Sequence, residues 1–142
     1  MQLTLFSDYS LRLMMFVAVS KGQRVTIEDA SKAYDISRAH LMKVAQFLVR
    51  EGFLQAARGR TGGLSLAQPA EKIILGSLVR ATENGFDLVE CMSERGCCKI
   101  GQICRLRGVL GEAMHAFLQV LDRYTLADMI SRPEDFDFLR VA

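Results

Sequence analysis

Hydrophobic positions along the chain recur at helical spacing over most of its length and read as strands in one short region. Residues 11–20 are nearly all apolar (Leu13, Met14, Met15, Phe16, Val17, Val19), which predicts a helix buried on most sides. Ser7 stands before it as an N-cap, Asp8 falls where the positive end of a helix favours a carboxylate, and Lys21-Gly22 closes it. A second start signal at Thr26 predicts a short helix over 27–34, with Ile27, Ala30 and Ala33 on one side. After a tight turn at Asp35-Ile36, Ser37 caps a third helix that runs to Glu51 and stops at Gly52. Its Leu41, Val44, Ala45 and Leu48 recur at i, i+3, i+4, i+7 and face the core, whereas Arg38, Ala39, Lys43, Gln46 and Arg50 fall on other faces. Two short helices joined by a tight turn, the second with a polar and basic N-terminal face, form a helix-turn-helix pattern.

The pattern then changes. Residues 53–58 and 64–67 read as strands around Gly59-Arg60-Thr61-Gly62-Gly63, a β-hairpin whose glycines supply the positive φ angles of its tip. A hairpin directly after a helix-turn-helix is a wing. Pro69 ends it, and residues 73–82 read as a fourth helix, broken at Asn84-Gly85. The longest helical pattern extends from about Gln102 to Tyr124. Its apolar stripe, which includes Leu106, Val109, Leu110, Met114, Phe117 and Leu121, exceeds what so small a chain can cover and predicts a homodimer. Residues 126–130 read as a short extra helix or turn, and the acidic tail from Pro133 as loose. The expected fold is mainly α with a small β-hairpin. It comprises a winged helix-turn-helix domain over 1–84, a cysteine loop over 85–104, and a dimerisation helix with its tail over 105–142.

Composition alters this picture little; the distribution of charge alters it more. The 142 residues carry a net charge of only +2. Between Arg38 and Gly63, however, there are five basic residues (Arg38, Lys43, Arg50, Arg58, Arg60) and one acid, Glu51, whereas the last eighteen residues carry four acids and two arginines. Phosphates need cations and N–H groups, and base edges need side chains that reach into a groove. Ser37, Arg38, His40 and Lys43 lie at the exposed start of the third helix. Arg58, Arg60, Thr61 and Gly62 lie on the wing, which could enter a neighbouring minor groove. The N-terminus has no leader-like pattern, and no uncharged apolar run approaches the roughly 18 residues that span a bilayer. The expected location is cytoplasmic, with no membrane partner and with thiols kept reduced. With only His40 and His115 and no paired-carboxylate or nucleophile–base pattern, an enzyme is not expected.

All four cysteines (Cys91, Cys97, Cys98, Cys104) lie within one fourteen-residue stretch. Thiolates are soft ligands for clustered iron, zinc and Cu(I). The spacings, six and five intervening residues through Cys98 or five and six through Cys97, are wider than the two-residue knuckles of structural zinc sites. Gly96 and Gly101 give the loop freedom to wrap a larger object, which favours an iron–sulfur cluster over zinc or a disulfide. The adjacent Cys97 and Cys98 diverge, so three cysteines and an open fourth position remain. A small iron–sulfur redox protein is an alternative, but it leaves the basic wing unexplained.

Over nearly its full length the chain resembles the dimeric winged-helix repressors that carry Fe–S clusters, most of all the NsrR-like nitric-oxide sensors, whose relatives are the IscR-like and RirA-like regulators. The residues that carry the resemblance are Met1-Gln-Leu-Thr4, Ser7-Asp8-Tyr9 with Leu11-Arg12, and Ile36-Ser37-Arg38 with His40 and Lys43. They extend to the wing Arg58-Gly-Arg-Thr-Gly62-Gly63, the loop ending Cys104-Arg-Leu, and Tyr124-Thr-Leu-Ala-Asp128. The resemblance implies a homodimer on a palindromic double-stranded DNA operator, with nitric oxide as the signal and cluster damage releasing DNA. Loss of iron or of cluster supply is the alternative signal. It also implies a [4Fe–4S] cluster, or alternatively [2Fe–2S], held by Cys91, Cys98, Cys104 and Asp8 of the partner subunit. The doubled Cys97-Cys98 departs from the family pattern and makes Cys97 the alternative to Cys98. Arg12, one helical turn after Asp8, would take its carboxylate once the cluster is lost, making the two a switch pair.

Overall fold

The structure, a computed structural model, describes residues 2–93, 96, 98–101 and 103–139. Helix α1 spans Leu5–Val19 and begins well before the expected Leu11. Its cap is Thr4, whose hydroxyl accepts the Ser7 N–H (3.2 Å). Ser7 is therefore not the cap. It lies inside the helix, fully buried, and donates to Thr82 Oγ1 (2.8 Å). Thr4 and Ser7 are both cap-type residues, and the buried partner on a distant helix separates their roles.

Helix α2 (Ile27–Tyr34) starts with a capping box in which Thr26 and Asp29 satisfy each other's backbone N–H groups, and ends at Asp35 in the left-handed region (φ 52°). Helix α3 (Arg38–Arg50) follows, with Leu41, Val44, Ala45 and Leu48 buried as its periodicity predicts. Leu13, Met14, Ala30, Leu41 and Leu48 are fully buried where α1, α2 and α3 meet. Burying a side chain of this size contributes about 1.5–3 kcal/mol, so this cluster holds the three helices at fixed angles.

Strands β1 (Leu54–Ala57) and β2 (Gly63–Leu66) pair antiparallel, with Leu54 opposite Leu66 and Ala57 opposite Gly63. Leu54 and Leu64 reach into the core from this hairpin. Paired hydrogen bonds between Val25 and Leu64 (3.1 and 2.7 Å) pin it to the segment before α2. A 3-10 turn (Ala70–Lys72) leads to helix α4 (Leu75–Thr82).

Helix α5 runs over Arg105–Leu121, shorter than the Gln102–Tyr124 that periodicity suggests. Cys104 is extended (φ −78°, ψ 110°), and beyond Leu121 the Tyr124 carbonyl accepts from Leu75 N–H (3.0 Å) instead of continuing the helix. Helix α6 (Leu126–Met129) opens with a second capping box, Thr125 with Asp128. The tail is not loose as expected. Residues Pro133–Leu139 form a 3-10 segment packed on α1 and α2, and Leu139 is buried in the core. One leucine among acidic neighbours supplies an anchor that net charge does not reveal. The architecture is mainly helical with one two-stranded hairpin. Among the described residues no helix is long and apolar enough to cross a membrane.

Candidate nucleic-acid interface and metal centre

The start of α3 and the tip of the wing are the polar extremities of the helix-turn-helix half. Ser37, Arg38, His40 and Lys43 are all exposed, as are Arg58, Arg60 and Thr61, with Gly62 partly so. Ser37 occupies the N-cap position without using its side chain to cap, which leaves the first N–H groups of α3 without a capping side chain among the described residues. Arg38 lies 3.3 Å from Glu28 on α2, which also pairs with Lys32 at 3.3 Å. Exposed pairs of this kind contribute little, so Arg38 can exchange Glu28 for a phosphate at small cost. Arg50 pairs with Glu51 (3.0 Å) and covers the Phe47 ring, away from the reading end of the helix.

The wing tip needs its glycines for more than one reason. Gly59 and Gly63 have positive φ (100° and 147°). Gly62 does not carry that conformation; it lacks room instead, since a Cβ there would lie 2.5 Å from the Ala57 carbonyl oxygen. Arg24, which sequence reading passed over, donates to the Thr61 carbonyl oxygen (3.2 Å) and steadies the tip. No local pattern points to it, because its partner lies across the wing.

The N-terminal end of α1 is stitched to the end of α4. Thr4 donates its N–H and hydroxyl to Glu83 Oε1 (2.8 and 3.0 Å), and Ser7 bonds to Thr82. Burial pushes the Glu83 carboxyl up, but hydrogen bonds from Ser7 and Thr4 together bring it below its usual value. In the next turn Arg12 grips Asp8 with two nitrogens, Nε to Oδ1 at 3.0 Å and Nη2 to Oδ2 at 2.8 Å. Tyr9, beside Asp8, packs against His40 of α3 with ring centroids 6.1 Å apart, and Phe6 meets Phe47 edge-on at 5.2 Å. The expected switch pair is thus in contact, one residue away from the reading helix.

The cysteine loop is held by local turns. Cys91 sits in a 3-10 turn (Glu90–Met92), Cys98 is exposed, and Cys104 is the residue before α5. Cys97 lies outside the described residues. Cys91 and Cys98 line a common cavity of about 320 Å³ with Val89 and Glu90. The loop folds back closely on Cys91: a Cβ at Gly96 would strike the Glu90 carbonyl and lie 2.7 Å from Cys91 Cα. In kind, these donors fit a thiophilic metal group, and two of them face one space. Among the described residues, however, no three potential ligands gather at one point.

A helix-turn-helix with a wing, cations exposed on both, and a long helix with an uncovered apolar face define a winged-helix DNA-binding regulator. Residues 3–132 match the Rrf2 family model, described as an iron-dependent transcriptional regulator. The chain belongs to this Rrf2 family. It is 42% identical over 137 residues to the HTH-type transcriptional regulator NsrR of Bacillus subtilis, which covers 95% of this chain and 94% of that protein. It is 44% identical over 132 residues to NsrR of Bacillus licheniformis, covering 92% of each. Among solved structures, T. potens IscR shares the fold with a TM-score of 0.73 at 22% identity, covering 100% of this chain and 93% of that one. A putative transcriptional regulator from Listeria innocua does so with a TM-score of 0.74 at 24% identity, covering 100% and 94%. These relatives are transcriptional regulators, not enzymes.

Proposed function

We propose that this protein is a homodimeric, cytoplasmic repressor that binds palindromic double-stranded DNA and senses nitric oxide through an Fe–S cluster. In this reading residues 1–84 read DNA, 85–104 hold the cluster and 105–142 dimerise. Cys91, Cys98 and Cys104 with Asp8 of the partner subunit would hold a [4Fe–4S] cluster; Cys97 for Cys98 and [2Fe–2S] are the alternatives. When bound, such a cluster supplies an iron that a carboxylate ligand leaves open to a small molecule.

The observation that carries this reading is the Asp8–Arg12 grip on α1, with Tyr9 against His40 of α3. A carboxylate engaged across the subunit interface is unavailable to Arg12; once released, it has this partner one turn away on its own helix. Because α1 packs on α3 through Phe6–Phe47 and Tyr9–His40, a change in the partner of Asp8 bears on the placement of Ser37, Arg38, His40 and Lys43. Arg58, Arg60, Thr61 and Gly62 on the wing would bind phosphate and a flanking minor groove. Two such states, biased by the occupant of Asp8, are what a switch requires. The NsrR name of the Bacillus relatives supports nitric oxide as the signal.

The test is a gel-shift titration of anaerobically purified protein before and after nitric oxide. Affinity is expected to fall after exposure; equal affinity in both states overturns the reading. The description of the family as iron-dependent favours a second reading, iron or cluster-supply sensing on the same scaffold. Under it a chelator releases DNA faster than nitric oxide does at equal protein.

A further inference from the structure

Helices α4 and α5 meet at a joint that involves neither the DNA-reading residues nor the cysteine loop. Arg80 Nη1 donates to Asp122 Oδ1 (2.5 Å) and Nη2 to Oδ2 (2.7 Å), a two-pronged pair between residues 42 apart in sequence. Gly76, one turn before Arg80, is buried against the same carboxylate. A Cβ there would collide with Asp122 Oδ1 and come within 2.7 Å of Arg80 Nη1. Two backbone hydrogen bonds cross the same seam just beyond, Leu75 N–H to the Tyr124 carbonyl (3.0 Å) and Leu126 N–H to the Ile73 carbonyl (2.8 Å). The hydrogen bond from Arg80 holds the Asp122 carboxyl below its usual range, so the pair is ionised at neutral pH.

Among the described residues the opposite end of α5 carries no comparable tie. Leu106 and Val109 there are 60% and 58% exposed. The helix is thus fixed to the winged-helix body over its C-terminal half, at the Asp122 joint and at the buried Met114, and its first turns leave that body at an angle set there. Exposed ion pairs add little to stability, but a bidentate guanidinium–carboxylate pair has strict directionality. The value of this one lies in orientation.

We propose that the Gly76–Arg80–Asp122 joint sets the half-site spacing that the dimer accepts on DNA. This rests on the dimeric, DNA-binding reading above. The two reading helices of a dimer must fall about 34–36 Å apart, one turn of duplex. From the buried Met114 back to Arg105 the helix extends roughly 14 Å at 1.5 Å per residue. A swing of ~14° about Met114 moves the free end by about 3.4 Å, one base-pair rise. A joint that yields by that much no longer distinguishes adjacent spacings.

The test uses a palindromic duplex enriched from a random pool by the wild-type protein, with derivatives carrying one and two base pairs inserted between the half-sites. Wild type is expected to lose about tenfold in affinity or more on insertion, the scale of a single misplaced contact. In Gly76→Ala and Asp122→Asn that discrimination should fall to within about threefold, with single half-site affinity and dimer mass unchanged. The double variant Arg80→Ala/Asp122→Ala should lose no more than either single one, as expected of residues acting as a unit. Unaltered spacing discrimination in Asp122→Asn, which keeps the size of the side chain and removes its charge, overturns the assignment even if Gly76→Ala fails to fold. Failure of the wild type to enrich any palindrome overturns the dimeric reading itself and this inference with it.

Discussion

At the scale of single residues, the informative positions are those whose chemistry is decided by a partner far away in sequence. Ser7 looks like a helix cap because serine before an apolar run usually is one. In the fold its hydroxyl is buried and donates to Thr82 Oγ1 (2.8 Å), which in turn donates to the Leu78 carbonyl (3.1 Å). Ser7→Ala removes one member of this chain and leaves Thr82 short of a buried partner. We expect a loss of about 1–2 kcal/mol, read from urea unfolding monitored by circular dichroism; an unchanged midpoint would mean that the chain of hydroxyls contributes nothing. Only the local half of such a residue is legible in sequence. The same holds for Asp122 and Arg24, whose partners Arg80 and Thr61 no periodicity connects to them.

At the scale of elements, legibility follows how local the determining interactions are. Helices α2 and α3 end where their sequence signals put them, because a capping box, a left-handed Asp35 and a strict four-position apolar stripe are all short-range. The wing was equally legible, although its two adjacent glycines serve different ends, Gly62 a lack of space alone and Gly63 a positive φ together with close approach to the Val25 carbonyl. The ends of α5 were not legible, since its apolar pattern runs past Leu121 while long-range bonds to Ile73 and Leu75 decide where the helix gives way to α6. The charges on the wing admit a measurement at this scale. If Arg58 and Arg60 each neutralise a phosphate, Arg58→Ala and Arg60→Ala should each reduce the slope of log affinity against log salt by roughly 0.9. They should also weaken binding to all sequences about equally. A slope identical to wild type for both variants would remove the wing from the interface.

At the scale of the molecule, the decisive feature is the uncovered face of α5. Met114 is the only residue of this helix that the chain itself buries. Ile103 is 82% exposed, and Leu106 and Val109 continue its apolar strip along the first turns of the helix. This strip lies directly after Cys104, so whatever covers α5 also approaches the cysteine loop. A second copy of the same chain is the occupant that would both bury the strip and bring another Asp8 toward Cys91, Cys98 and Cys104, the arrangement on which the proposed sensing depends. A charge placed in the strip separates these consequences from folding. Because Leu106 and Val109 are exposed in the isolated subunit, Leu106→Glu and Val109→Glu should leave its core intact. Buried between two copies, the same carboxylates would be desolvated without partners, a cost of several kcal/mol each that a dimer cannot absorb. Sedimentation should therefore report a folded monomer for the double variant and a dimer for wild type. The monomer should also bind a palindromic duplex no better than a single half-site, because the second reading head is no longer tethered. A double variant that still sediments as a dimer would place the subunit interface elsewhere on the molecule, and the partner's Asp8 would then have no route to the cysteines.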